Sequence, residues 1–243
     1  MIIGIHHPRY LPTLSFLARI TVLDALVLLD TAPMPDRNRE SFINRGHVRT
    51  GVGLDGVTRL TIPVLRKPRN SPLSKVRINF TAHQWAHKHY ASISNAYSKA
   101  RNFDSHAEFL YGLFHEPWEY LLDFNMKLLW WHAENLNIPK RKILLHSDLD
   151  IDSRRPVDIC AELRANAYCA GPAEHSRMSS DTRAQLLRAG VKLFHFSYLH
   201  PTYRQRYEPF IPGIAALDLL LNEGPASRSI LLGNGRTRLS SED

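Results

Sequence analysis

Residues 1–30 read MIIGIHHPRYLPTLSFLARITVLDALVLLD. The apolar run Met1–His6 predicts a buried strand, Leu14–Val22 carries apolar residues at helical spacing, and Ala25–Leu29 predicts a second buried strand. A helix that links two consecutive strands of one sheet makes them parallel neighbours, so this segment predicts a βαβ unit and an α/β protein. In such sheets, ligands bind near the carboxyl ends of the strands.

The rest of the chain predicts the same architecture. A hairpin is expected from Phe42–Arg49 and Thr58–Val64, residues 83–137 are mainly helical, and strands then alternate with helices again. We therefore expect a three-layer α/β fold with helices on both faces of a mixed or mostly parallel sheet. Residues 1–230 are predicted to form a single domain, and residues 231–243 are predicted to be a flexible C-terminal tail.

The chain is basic, with 31 Lys and Arg against 23 Asp and Glu, a formal charge of +8 and a pI near 9.7. This excess favours anionic partners, among which nucleic acid is one candidate, although a coding bias toward arginine is a competing explanation. The segment Leu65–Arg77 places basic residues between prolines and predicts an exposed anion-binding loop. Its candidate contacts to an anion are Arg66, Lys67, Arg69 and Lys75.

The cysteines and the hydropathy pattern indicate a location. Cys160 and Cys169 are the only cysteines, which argues against a disulfide scaffold and favours a cytoplasmic protein with both thiols in its core. No apolar run approaches the roughly 18 to 20 residues of a membrane span, so no span is expected. The sequence does not predict an oligomeric state.

Two similar loops follow predicted strands and carry the most informative polar residues. The first is HHPRYLP at residues 6–12, and the second is HPTYRQ at residues 200–205. Prolines make such loops rigid, and a histidine of near-neutral pKa can transfer protons, so His7 and His200 are expected to share one pocket. The alternative is a pair of tight turns in which the histidines only bond to the backbone.

Other polar residues stand close to predicted strand ends. Asn44 and Arg45 begin a strand and are expected to bind a carboxylate, a phosphate or a developing oxyanion, with a surface salt bridge as the alternative. Asp30 follows the second strand and is expected to meet a ligand, unless it caps the following turn.

The sequence predicts no metal site and no cofactor. His83 and His87 have the i, i+4 spacing of some metal ligands, but no third ligand is nearby in sequence, and solvated histidines at a helix start are the commoner case. The motifs GxxxxGK[ST], GxGxxG after a strand, GxSxG and HExxH are all absent. Hydrolysis of ATP, dinucleotide redox chemistry and serine hydrolysis are therefore disfavoured.

A set of short motifs, in order from residue 2 to about residue 227, resembles the WbqC-like family. The motifs are His7-Pro8-Arg9-Tyr10-Leu11-Pro12, Asp24, Leu29-Asp30, Asn44-Arg45, Leu60-Thr61-Ile62-Pro63-Val64, Trp85 with His89, Gly171-Pro172, His200-Pro201-Thr202-Tyr203-Arg204-Gln205, Phe210-Ile211-Pro212 and Leu217-Asp218-Leu219-Leu220-Leu221-Asn222-Glu223-Gly224. The chain departs from the family pattern at His7, where glutamine is usual, and at Thr13, where tryptophan is expected.

The resemblance implies a transferase. Members occur in O-antigen and natural-product gene clusters, and the resemblance implies transfer of glycine or another acyl group to an amine or hydroxyl of a sugar or small-molecule acceptor. His200 is then expected to be the base, with His7 beside it, and Asn44 and Arg45 to bind the oxyanion. The other expected substrate contacts are Arg9, Tyr10, Asp30, His89, Tyr203, Gln205, Asp218 and Asn222.

The donor and the reaction class stay open at this stage. An aminoacyl-tRNA donor fits the positive charge, and acyl-CoA or a nucleotide-activated donor fits nearly as well. The first thirty residues also resemble the opening of cytidylyltransferase-like folds, which implies a nucleotide- or sugar-nucleotide-dependent transferase, although their second histidine is missing here. A non-catalytic glycan-binding or scaffold protein is the third alternative.

Overall fold

A computed structural model describes residues 1–34, 42–53, 55–65 and 70–241, except the side chain of His83. Up to residue 135 the chain forms β1 (Ile2–His6), α1 (Leu14–Val22), β2 (Ala25–Leu28), β3 (Arg45–Arg49), β4 (Val57–Thr61), α2 (Trp85–Tyr97), α3 (Asp104–His115) and α4 (Leu121–Asn135). After residue 135 it forms β5 (Ile143–Leu145), α5 (Pro156–Glu162), β6 (Ala167–Ala170), α6 (Pro172–Arg177), α7 (Ser180–Arg188), β7 (Lys192–Tyr198), α8 (Leu217–Glu223), α9 (Ser227–Leu231) and β8 (Thr237–Ser241).

The main sheet of the described chain has six strands in the order β5-β2-β1-β6-β7-β8. The first five of these are parallel and β8 runs antiparallel to β7. Strand β1 is central, with Ile3 opposite Ala25 on one side and Tyr168 on the other. β3 and β4 pair separately as an antiparallel hairpin. The predicted βαβ unit, the mostly parallel sheet and the helical middle segment are confirmed.

Alternating residues of the strands build one core on each face of the sheet. Ile3 and Ile5 pack in a cluster with Leu186 of α7, whereas Leu26 and Leu28 belong to the larger cluster that includes α1, α2 and α4. This alternation is the pattern that two-sided burial imposes on a parallel sheet. Helices therefore cover both faces, as the sequence predicts.

The chain leaves β1 and β6 in opposite directions. β1 connects through α1 to β2 on one side, while β6 connects through α6 and α7 to β7 on the other. Where the connections after two neighbouring parallel strands lead in opposite directions, a crevice opens beyond the carboxyl ends of the strands. Ligands of α/β proteins bind in that crevice.

The C-terminal segment differs from its prediction as a flexible tail. Thr237–Ser241 forms β8 and pairs along β7, from Phe194 opposite Ser241 to Tyr198 opposite Thr237. Leu239 also packs against the larger core cluster. The short, polar sequence does not predict this strand, because the strand forms by pairing with the open edge of β7, which lies far away in sequence.

None of the described helices is long and apolar enough to cross a membrane.

Candidate functional site

A cavity of about 670 Å³ lies beyond the carboxyl ends of β1 and β6. His6, His7 and Arg9 enter it from the loop after β1, and Arg19 enters from α1. Residues 171–174 and 177–179, together with Thr182 of α7, also line it. The cavity thus occupies the crevice where the two crossovers diverge, the usual ligand position in this architecture.

Arg19 joins the two central strands beneath the cavity. Its side chain is buried, and its guanidinium donates to the carbonyl oxygen of Ile5 at 3.4 Å and to that of Cys169. Glycine is required at two points of this path, because a Cβ on Gly4 would lie 2.8 Å from Nη2 of Arg19, and one on Gly171 would lie 2.9 Å from Nη1. The absence of side chains at Gly4 and Gly171 therefore leaves room for the buried guanidinium of Arg19.

Glu174 is the carboxylate that compensates Arg19. Its Oε2 accepts from Nη2 of Arg19 at 3.3 Å and from the backbone N–H of Gly171 at 3.2 Å, while its Oε1 accepts from the hydroxyl of Tyr168. Both carboxylate oxygens are thus occupied by protein groups. Burial and the neighbouring Glu174 raise the pKa of Tyr168 well above its usual value, which keeps that phenol protonated as a donor.

Arg9 carries a second positive charge in the cavity. Its Nη2 lies 3.0 Å from Nε2 of His6, and its guanidinium carbon lies 5.4 Å from the ring centroid of Phe16 and 5.3 Å from that of Phe42. Burial, and then the charge of Arg19, lower the pKa of Arg9 to about 10, so the side chain is still a cation at neutral pH.

His6 is held in one tautomer. Its Nδ1 lies 2.8 Å from the carbonyl oxygen of His7, which can only accept, so Nδ1 carries the proton and donates. Its Nε2 is therefore the acceptor for Arg9. Burial, followed by the charges of Arg9 and Arg19, lowers the pKa of His6 well below its usual value, which stabilises this neutral form.

His7 faces the same cavity with no hydrogen bond to its ring nitrogens from any described residue. Burial, and then the charge of Arg9, lower the pKa of His7 from its ordinary value near 6.5. The imidazole is therefore neutral at pH 7 and has a free lone pair. A neutral imidazole in a cavity next to cationic groups can accept a proton from a bound nucleophile.

His200 does not join His7 in this cavity, contrary to the sequence prediction. Nδ1 of His200 lies 2.8 Å from the carbonyl oxygen of Pro201, and Nε2 accepts from the backbone N–H of Gly213 at 3.2 Å. Both ring nitrogens are thus used by the backbone, as in the alternative that the sequence left open. β6 separates β7 from β1 in the sheet. β7 also continues for three residues beyond the pairing of Ala170 with His195, so the loop that contains His200 begins farther from the cavity.

The other residues of the second loop form a buried polar cluster. Tyr203 donates to Oδ2 of Asp218 at 2.7 Å, and Nε2 of Gln205 donates to the same oxygen at 3.1 Å. Burial raises the pKa of Asp218. Nδ2 of Asn222 donates to the Asp218 carbonyl oxygen one helical turn earlier at 2.8 Å. The structure brings together four predicted substrate contacts, but as a cluster in the core away from the cavity lining.

Tyr10 and His89 are also buried in the core. The Tyr10 hydroxyl lies 2.9 Å from Nδ1 of His89, and burial lowers the pKa of His89 to about 4. This pair links the loop after β1 to α2.

Asn44, Arg45 and Asp30 lie outside the residues that line the cavity. Asn44 is buried and donates to the Ile62 carbonyl oxygen at 2.8 Å, and Arg45 opens β3 opposite Thr61. Oδ1 of Asp30, also buried, accepts from the backbone N–H of Ser147 at 3.0 Å. The Asn44 amide and the Asp30 carboxylate are therefore used in structural contacts.

Arg66, Lys67 and Arg69 of the predicted anion-binding loop lie outside the described residues. Lys75 is exposed at the end of a short 3₁₀ turn, Leu73–Lys75. Among the described residues, no group of three or more His, Cys, Asp or Glu side chains is arranged to hold a metal ion.

Sequence reasoning missed Arg19 and Glu174 as site residues. Arg19 stands among apolar residues of a predicted helix, and Glu174 lies in α6, a helix that the sequence analysis did not predict. The signal that could have found them is a pair of glycines, because Gly4 interrupts an apolar strand and Gly171 directly follows another.

A comparison with family models matches residues 7–230 to the WbqC-like protein family. No curated protein and no solved structure matches the chain.

Proposed function

Because the chain belongs to the WbqC-like protein family, we propose that it is a transferase that moves an aminoacyl group, such as glycyl, or another acyl group onto an amine or hydroxyl. The acceptor in this proposal is a sugar or natural-product intermediate, and an aminoacyl-tRNA is a candidate donor. The cavity between β1 and β6 is the proposed reaction site. A cytoplasmic location is part of the proposal, because both cysteines are free and buried.

The observation that carries the proposal is the free, neutral imidazole of His7 in a cavity lined by arginines. In the proposed reaction, the acceptor nitrogen or oxygen attacks the acyl carbonyl carbon while His7 Nδ1 or Nε2 takes the acceptor's proton. The new C–N or C–O bond forms, the bond to the donor oxygen or sulfur breaks, and His7 returns the proton to that leaving atom. No proton or electron is left over.

The arginines support this chemistry electrostatically. Arg9 and Arg19 bring two positive charges to the cavity wall, and Glu174 compensates one of them. A wall with this excess positive charge favours a negatively charged donor, and it also favours the oxyanion that develops when the acyl carbon is attacked. This role replaces the one that the sequence assigned to Asn44 and Arg45.

The test is product formation by His7 variants. Purified protein is incubated with glycyl-tRNA or an acyl-CoA and a panel of candidate amines and alcohols, and new amides and esters are detected by mass spectrometry. We expect His7→Gln to lower the rate by about 10²- to 10⁴-fold, the usual contribution of general acid–base catalysis. Glutamine keeps roughly the size and polarity of the side chain but cannot take a proton, so the variant isolates the basicity of the imidazole.

His87→Gln is the matched control, because His87 is exposed on α2 and does not line the cavity. It should react at the wild-type rate. Full activity of His7→Gln would rule out His7 as the base. Absence of any amide or ester with aminoacyl-tRNA or acyl-CoA donors would contradict acyl transfer.

A second candidate is a transferase that depends on a nucleotide or sugar nucleotide. The observation that favours it is the position of the cavity, because nucleotides bind where the crossovers of a doubly wound sheet diverge. Melting temperatures measured with nucleoside triphosphates, nucleotide sugars, coenzyme A and glycyl-tRNA separate the candidates. Stabilisation by nucleotides alone would favour this second function over acyl transfer.

A further inference from the structure

Arg9 is a cation without an anionic partner among the described residues. The carboxylate of Glu174 is engaged by Arg19, Gly171 and Tyr168, and Arg9 forms no described salt bridge. Its Nε is buried and makes no hydrogen bond to any residue that the structure describes. A partly buried guanidinium is destabilised unless its donors and charge are matched, so the unmatched Arg9 indicates that a bound ligand completes its contacts.

The surroundings of Arg9 fix its position before any ligand arrives. The guanidinium lies close to the rings of Phe16 and Phe42, and the neutral Nε2 of His6 accepts one of its N–H groups. These contacts use a ring face on each aromatic residue and one donor, and they leave other guanidinium donors free. A rigid fork of N–H groups matches the paired oxygens of a phosphate or a carboxylate.

The positive charge around Arg9 also favours an anionic ligand group. Arg19 lies close enough to lower the pKa of Arg9, and Arg177 also lines the cavity. Guanidinium groups that line one cavity repel each other, and an anion bound beside them reduces that repulsion. A neutral or cationic ligand group in this place would leave the repulsion uncompensated.

We infer that Arg9 binds a phosphate or carboxylate group of the cavity's ligand and that His6 is a positioning residue for Arg9. This anion would be part of the ligand that binds in the proposed reaction cavity. The inference therefore rests on the proposed function for the location of the site, but it does not depend on acyl transfer being the reaction. The anionic group is held in the ground state by Arg9, while His7 is left to act on the acceptor.

Binding of two matched dianions tests this inference. Pyrophosphate represents the phosphate source and malonate the carboxylate source, and each is titrated by isothermal calorimetry. We expect saturable binding of one of them by the wild type and a weakening of roughly 10- to 100-fold in Arg9→Gln, the usual effect of losing hydrogen bonds to a charged group. Tighter binding of pyrophosphate assigns the site to a phosphate-bearing ligand, and tighter binding of malonate assigns it to a carboxylate-bearing one.

Arg238→Gln is the matched control, since it removes the same charge from the exposed face of β8. It should leave binding of either dianion within about twofold of wild type, because surface charges are screened at ordinary ionic strength. Equal weakening by Arg9→Gln and Arg238→Gln would show a non-specific charge effect and would overturn the inference. Absence of saturable binding by the folded wild type would also overturn it.

The positioning role of His6 has a separate readout. His6→Gln keeps an acceptor near the place of Nε2, whereas His6→Leu removes it. We expect His6→Leu to weaken dianion binding about tenfold and His6→Gln to restore most of it. If both variants fold by circular dichroism and bind like the wild type, His6 does not position Arg9.

The binding experiment and the transfer experiment test separate claims, so either claim can be refuted while the other is supported. Binding of a dianion that depends on Arg9, without amide formation from any donor, would refute acyl transfer but support the anion site. Amide formation at an unchanged rate and KM in Arg9→Gln would refute the anion site but support acyl transfer.

Discussion

At the scale of single residues, Gly4 gives a direct test of the buried arginine beneath the cavity. A methyl group at this position would lie 2.8 Å from Nη2 of Arg19 and 2.8 Å from Cδ1 of Leu23. Because both neighbours are buried, we expect Gly4→Ala to lower the free energy of unfolding by about 1 to 3 kcal/mol, the range typical of overpacking. Urea denaturation measures this change.

Gly53→Ala does not serve as the control, because its φ of +76° disfavours any side chain. Gly51→Ala is better suited, since its Cβ would meet only the Cα of Gly56 at 3.7 Å. We expect that variant to unfold within about 0.5 kcal/mol of the wild type. Equal stability of Gly4→Ala and Gly51→Ala would contradict the close packing of Arg19 against β1.

The residues of the candidate site were only partly predictable. His7 and Arg9 stand out in sequence because they follow a strand in a proline-rigidified loop. Arg19 and Glu174 do not, because their partners are backbone carbonyls and side chains about 150 positions away. The prediction that His200 shares a pocket with His7 was wrong for a related reason, since a similar sequence after another strand does not indicate where the longer β7 ends.

At the scale of elements, β8 is the strand whose contribution is easiest to measure. It pairs with β7 over five residues and covers the edge of the main sheet. A chain that ends at Arg236 should therefore melt at a lower temperature and self-associate through the exposed edge of β7, because an open strand edge pairs readily with other chains. Differential scanning fluorimetry and size-exclusion chromatography measure the two effects.

A chain that ends at Ser241 keeps all of β8 and is the control for this truncation. It should behave as the full chain does in both measurements. An unchanged melting temperature and elution volume for the chain that ends at Arg236 would contradict a stabilising role of β8.

Most elements follow from local sequence patterns. Leu14–Val22 has the bounds that its apolar spacing predicts, and the three helices between residues 85 and 135 fall within the predicted helical segment. α6 and β8 were missed because they are short and polar, and because the interactions that stabilise them lie elsewhere in the fold. Glu174 of α6 bonds to Arg19, and β8 depends on β7. Local secondary-structure propensities do not include the effect of such distant partners.

At the scale of the whole molecule, buried histidines predict how stability depends on pH. Burial lowers the pKa of both His89 and His132 to about 4, against an ordinary value of 6.5. The unfolded chain then binds more protons than the folded chain between these values. The stabilisation is complete above pH 6.5 and is lost as the pH falls toward 4, on the order of 3 kcal/mol for each histidine.

Urea denaturation at pH 7.5, 5.5 and 4.5 measures this dependence. We expect a smaller loss of stability over this range in His132→Gln, which removes one of the buried histidines whose pKa is lowered. His87→Gln should keep the wild-type dependence, because His87 is exposed. A free energy of unfolding that stays constant from pH 7.5 to 4.5 would contradict the burial of the two neutral imidazoles.

The proposed reaction and the proposed anion site both require that the ligand binds in the cavity between β1 and β6. The most direct measurement is a crystal structure of the protein with pyrophosphate or malonate, whichever binds more tightly in the calorimetric titration. We predict that the anion lies in this cavity, within hydrogen-bonding distance of the Arg9 guanidinium and beside His7. An anion held at the loop of His200 and Gly213, or a cavity without the anion in saturated crystals, would contradict ligand binding at this site.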